Sequence, residues 1–213
     1  MKKHHLLLAF SVSAVFFAGC RSTTTIFDPA TTRTGIRQEG SVSSEEMREV
    51  TAAAVESAMT NPRFSQFLRQ YQQEKADAYA RPVVKLDRVI NDTDDPDLNV
   101  GEITDMLNEA LLNAGKVDVT LAEGADRTAA IAASRELEDD ENFDQSTVAQ
   151  RGTLQAARLV LRPKVTSSTI ADDGRRVVVR TFVMDMADIK TGLVMWRFTK
   201  QLGFIKEKGT FGW

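Results

Sequence analysis

Cysteine and histidine are close to missing from this chain: one of the first and two of the second in 213 residues. All three stand in the first twenty positions, as His4, His5 and Cys20. A single cysteine excludes an internal disulfide and a multi-thiolate metal site. Beyond Cys20 there is no imidazole, so the usual general base near neutral pH and the commonest transition-metal ligand are gone. Chemistry run on carboxylates or a lysine stays open, but nothing in the sequence pairs two acids as a glycosidase dyad. No metal or cofactor is expected. A basic excess is lacking too: the formal charge is −3, which argues against a nucleic-acid binder. After the first twenty residues no apolar run approaches the length of a membrane span.

What is present starts with a leader. Lys2 and Lys3 precede the apolar run Leu6 to Phe17, and Phe17-Ala18-Gly19-Cys20 closes it. A short basic segment, about a dozen apolar residues and small residues at a cut site read as a secretory signal. Cysteine directly after Ala-Gly makes it the lipoprotein kind, with residues 1–19 removed and Cys20 lipidated; Phe17 stands where leucine is usual. The plainer alternative is an ordinary signal with a cysteine nearby. Losing Lys2 and Lys3 moves the formal charge from −3 to −5. Arg21, not an aspartate, follows the cysteine, so the expected site is the outer membrane, lipid-anchored, with the domain facing the periplasm. Several acyl chains on one cysteine make release slow.

Residues 20–42 are rich in Thr, Ser, Gly and Arg and read as a flexible tether. About twenty residues reach roughly 70 Å fully stretched and nearer 25 Å as a coil. Residues 43–80 form an N-terminal helical segment. Ser43 and Glu46 make a capping box ahead of Met47, Val50, Ala54, Val55 and Met59 at helical spacing. Asn61-Pro62 restarts a helix whose apolar face is Phe64, Phe67, Leu68 and Tyr71.

Residues 81–205 are expected to be one α/β (α+β) domain. Pro82 to Ile90 reads as a strand and Ile103, Met106, Leu107, Ala110 and Leu111 as a helix closed by Gly115. Val117 to Leu121 gives a second strand, making a parallel β-α-β crossover. A helix over Asp126–Leu137 and a short one capped by Ser146 follow. Leu159–Ser168, Arg175–Asp188 and Leu193–Gly203 then alternate at period two, joined by Asp172-Asp173-Gly174 and Lys190-Thr191-Gly192. The expected architecture is a mixed sheet of about five strands, packed with helices and ending in an antiparallel meander. Residues 206–213 are a tail whose Phe211 and Trp213 make it either a docking peptide or a fold-back segment.

Several conspicuous residues have plain explanations. Asn91 and Thr93 suit side-chain turns that end the first strand. Trp196 alternates with Val194 and Phe198 and belongs to an apolar face. The acids from Glu136 to Asp144 lack the glycine and spacing of a calcium loop and read as a solvated loop. If Val177, Val179 and Val183 share the covered face, then Arg162, Lys164, Arg180 and Arg197 lie on the opposite one. That predicts a basic sheet face, a candidate partner interface on an acidic protein.

Four stretches, in order, resemble the LpoB family of penicillin-binding-protein activators. They are Val84-Lys85-Leu86-Asp87-Arg88-Val89-Ile90-Asn91-Asp92-Thr93, Glu102 to Leu111 running on to Val117, Ala156 to Leu161, and Asp188 to Trp196. The Ser43–Leu68 helices are similar to the segment that precedes the domain in many members. The resemblance implies a small α/β domain on an outer-membrane lipoprotein that stimulates a class A penicillin-binding protein, a bifunctional peptidoglycan synthase. It implies a regulator of cell-wall synthesis and cell shape, not an enzyme. The membrane is met only through the lipid, and the domain is expected to be monomeric. Well-known members carry a long proline-rich tether; this one is short. Envelope-assembly and secretion lipoproteins share the strand-to-Asn-x-Thr opening and supply the alternative function, with a carboxylate-based cell-wall hydrolase third.

Overall fold

The computed structural model describes residues 43–125, 127–172 and 175–206. Helix α1 (Ser44–Thr60) starts at the predicted capping box. The Ser43 hydroxyl accepts the Glu46 N–H at 3.2 Å, and the Glu46 carboxylate accepts the Ser43 N–H at 3.1 Å. Asn61 ends α1 and caps α2 (Pro62–Lys75), its side chain accepting from Arg63 N–H. Proline in the first turn gives up no hydrogen bond, because that N–H has no partner within a helix. Two short strands follow, β1 (Val83–Leu86) and β2 (Ile90–Asp92), then α3 (Val100–Ala114), β3 (Asp118–Val119) and α4 (Ala129–Glu136). The long strands β4 (Leu159–Asp172), β5 (Arg175–Asp188) and β6 (Leu193–Lys206) complete the chain of elements.

The sheet runs β3-β1-β4-β5-β6, with β2 also pairing with β4. β1 lies parallel to β3 and β4, so β1-α3-β3 is the predicted crossover; β4, β5 and β6 form the antiparallel meander. The mixed sheet packed with helices in one domain agrees with the fold class expected. Three details differ. The first strand is interrupted at 87–89, where Val89 turns into the core and Asp87 and Arg88 face out. The short helix at Ser146 is a turn, in which the Asp144 carboxylate accepts the Ser146 N–H and hydroxyl. The meander strands run to Asp172 and Lys206, past the expected ends.

The predicted helical segment is not separate from the sheet. One core joins Met47, Val50, Ala54 and Val55 of α1 and Phe64 of α2 to Leu107 and Leu111 of α3 and to Leu159, Leu161, Met184 and Met186 of the sheet. Burying each such side chain is worth roughly 1.5–3 kcal/mol. Trp196 stacks on Phe198 at 6.1 Å, Phe182 meets Phe198 edge-on at 6.4 Å, and Trp196 Nε1 donates to Ser57 Oγ on α1 at 3.2 Å, so Trp196 belongs to the core as expected. Val194, across the register break opposite Met186/Ala187, is exposed and does not share that face. Gly124 holds φ +93°, and a Cβ there would stand 2.5 Å from the Leu86 carbonyl oxygen, so the loop lies against β1 only because that residue is glycine.

Candidate interaction surface

Register decides which side chains share the sheet's open face. Leu161 pairs with Met186, Pro163 with Met184 and Val165 with Phe182, all buried, so Arg162 and Lys164 point the other way. Across the strands Arg162 faces Asp185, and Asp185 faces Arg197. The Arg162, Lys164 and Arg197 side chains are 54%, 40% and 64% exposed. The structure thus brings three of the four predicted cations to one face.

Arg180 is not among them. It shares the parity of Phe182, Met184 and Met186, is only 4% exposed, and donates from Nη1 to Asp95 Oδ2 at 2.9 Å. The sequence phase was misread because β5 is apolar at both parities. Val178, Phe182, Met184 and Met186 take the covered side, while Val179 and Val183 are only half-buried on the open side.

The face is also less basic than expected. Arg197 clasps Asp185 with two hydrogen bonds, at 2.5 and 2.8 Å; Lys164 meets Asp92 at 2.7 Å; Arg162 lies 3.8 Å from Asp87. The hydrogen bond from Arg197 holds the Asp185 carboxyl below its ordinary range, against the opposing effect of burial, with the charges of Arg197 and Arg162 adding to it. Arg197 is correspondingly raised. The surface is a charge-balanced mosaic. Sequence reasoning missed the acids because two of them, Asp87 and Asp92, come from chain about 75 residues before the strand they meet.

The motif residues serve as joints. Asn91 Oδ1 accepts from Thr93 N–H at 3.1 Å and Thr93 Oγ1 at 2.6 Å, and Asn91 Nδ2 donates to the Asp95 carbonyl. These turns, expected from the residue types, set Asp95 against Arg180. Arg158 joins the third stretch to the fourth: Nε donates to Asp188 at 2.8 Å, Nη1 to Glu74 on α2 at 3.2 Å, and the guanidinium lies 5.3 Å from the Phe67 ring centre. Burial pushes the Asp188 carboxyl up. Hydrogen bonds from Arg158, Lys190 N–H and Thr191 outweigh it and leave the group below its usual range. The Glu123 carboxyl is lowered by the Ala157 N–H and then by Lys85, both within 2.8 Å. Among the described residues no His, Cys, Asp and Glu gather to hold a metal, and no helix is long and apolar enough to cross a membrane. Cys20 and the aromatic tail residues Phe211 and Trp213 lie outside the described residues.

A cleft of about 410 Å³ opens between α1 and β6, lined by Glu46, Glu49, Val50 and Ala53 on one wall and Phe198, Thr199, Lys200 and Leu202 on the other. A smaller one of about 150 Å³ lies where α1 and α3 begin, with Asp95, Asp97 and Glu102 on its wall.

A family model described as the peptidoglycan-synthase activator LpoB matches residues 46–202. No curated protein matches the chain. Among solved structures, the LpoB C-terminal domain from Salmonella enterica is 16% identical, with a TM-score of 0.37, covering 71% of this chain and 97% of that one. The LpoB C-terminal domain from Escherichia coli is 18% identical at 0.36, with the same coverage of both chains. A PelC dodecamer from Paraburkholderia phytofirmans is 22% identical at 0.32, covering 62% and 78%.

Proposed function

Because the chain belongs to the family of the peptidoglycan-synthase activator LpoB, we propose that it is a non-catalytic outer-membrane lipoprotein, anchored through Cys20, whose periplasmic domain binds and stimulates a class A penicillin-binding protein. The observation that carries this reading is the family match over residues 46–202, which spans both N-terminal helices and the sheet as far as Leu202. The lipoprotein signal supplies the anchor, and the short tether sets the reach. Stimulation works by binding the synthase away from its reacting groups and favouring its active conformation. A tenfold gain in the active fraction, starting from a minor population, needs about 1.4 kcal/mol of differential affinity for that conformation. Arg162, Lys164 and Arg197 are the interface candidates: a partner's carboxylates would exchange with Asp87, Asp92 and Asp185 for the same cations.

The test is glycan polymerisation by the cognate synthase with and without the mature chain, alongside a binding titration. A rate increase that saturates with binding is expected. No binding and no rate change would overturn the reading and leave an envelope-assembly role. Release of soluble muropeptides from purified sacculi by the chain alone would instead make it a hydrolase.

A further inference from the structure

The sheet treats its two edges differently. At one end β3 is two residues long, and a short edge offers little backbone to a stranger. At the other, β6 is fourteen residues long, pairs with β5 along its inner side, and has no neighbour on its outer side among the described residues. The usual devices that blunt such an edge are sparse. β6 contains no proline, its irregularity lies at its start, opposite Met186/Ala187, and of its charges Arg197 is neutralised by Asp185, the others being Lys200 and Lys206.

The cleft between α1 and β6 lies beside this edge. Its strand wall is Phe198, Lys200 and Leu202, which share one parity with the buried Trp196, together with Thr199. A strand added to β6 therefore projects every second side chain toward the cleft, while its backbone takes the free hydrogen-bonding groups of the edge. Val50, Ala53, Phe198 and Leu202 give the cleft an apolar lining. Its charges are two carboxylates, Glu46 and Glu49, against one ammonium, Lys200. Glu46 is committed to the α1 cap; Glu49 is exposed and free of ion pairs among the described residues. An exposed carboxylate without an ion pair, Glu49, beside an apolar lining suits a long cation, whose stem packs on the lining while its head reaches that glutamate.

We propose that β6 is a docking edge for an extended segment of a partner protein, one that alternates apolar and polar residues and places an arginine or lysine in the α1–β6 cleft. This surface is distinct from the open face that carries Arg162, Lys164 and Arg197, and it does not depend on which synthase is the partner. The probe is an acetylated peptide of about ten residues that alternates threonine with valine and carries one arginine in the valine phase. Calorimetric titration of the mature chain should show saturable binding, and amide exchange should slow between Arg197 and Leu202. Glu49→Arg should weaken binding at least about tenfold, the loss of one well-placed charged contact, whereas Lys164→Glu on the open face should leave it unchanged. A thermal melt confirms that both variants fold.

Absence of binding at about 1 mM peptide, or equal affinity in Glu49→Arg, would overturn the proposal. Binding seen only after deletion of residues 207–213 would also overturn it and make the chain's own end the occupant. Self-association that excludes the peptide would assign the edge to a second copy.

Discussion

Replacing Asp95 by asparagine should cost far more than a surface change of the same size. The Arg180 side chain is 5% exposed and that of Asp95 17%, and they meet at 2.9 Å. Arg180 Nε has no hydrogen-bond partner, so its guanidinium depends heavily on this one carboxylate. Guanidinium does not shed its proton in a protein. Asp95→Asn keeps an oxygen that can still accept the Asp97 N–H now held by Oδ1, preserving the turn, but it leaves a buried cation without a counter-charge. Breaking a buried pair from one side costs about 3–5 kcal/mol. The lower figure applies here, since the Asp95 side chain is 17% exposed and water can take over part of the lost contact, and it lowers Tm by roughly 6–12 °C in a domain of this size. Arg180→Met removes the charge itself and should cost about 1 kcal/mol or less, because the remaining aspartate can turn toward water. The double variant should match Arg180→Met, giving a coupling energy of about 3 kcal/mol, the whole cost of Asp95→Asn. Urea and thermal unfolding of the four proteins measure it. A loss under about 0.5 kcal/mol for Asp95→Asn, or a double variant no better than Asp95→Asn, would refute the reasoning.

Reversing Arg162, Lys164 and Arg197 together should weaken association with the synthase and flatten its salt dependence, read as affinity at two ionic strengths; an unchanged affinity would make this face a solvated surface. Cys20→Ser should leave an uncleaved or soluble precursor and empty the outer-membrane fraction, checked by fractionation and immunoblot. Stability should fall in acid through Asp188. Its folded pKa is depressed, so its contribution is complete above the unfolded value near 4 and is lost as pH drops through the folded one. Asp188→Asn should be less stable at pH 7 and lose less of its stability between about pH 5 and pH 2 than the parent, measured by denaturant titration.

Local signals named most of the fold. Ser43 with Glu46, Asn61 with Pro62, and Gly115 after an apolar stripe each act within one helical turn, and each stands where expected. The same holds for the Asn91–Thr93 turns and for Trp196. The side facing the helices was legible in β4, where Leu159, Leu161 and Val165 alternate with Arg162 and Lys164. It was not legible in β5, where valine occurs at both parities and Arg180 stands on the covered one. Nor do short-range patterns say that Asp95 pairs with a residue 85 positions on, or that Asp87 and Asp92 neutralise β4. Charges settle a surface only after the chain has folded, so a candidate interface drawn from one strand's alternation counts the cations and misses the acids that meet them.

The indole of Trp196 reaches back across 139 positions to Ser57, and α1 and α2 both pack on β6. The helices made first therefore complete their apolar contacts only when the strand made last arrives. Closing so long a loop comes late and slowly. Under the proposed export of the chain as a lipoprotein precursor, that delay would be useful: while β6 is still missing, α1 and α2 have no complete core to fold onto, and the first half would stay threadable until nearly the whole domain had crossed.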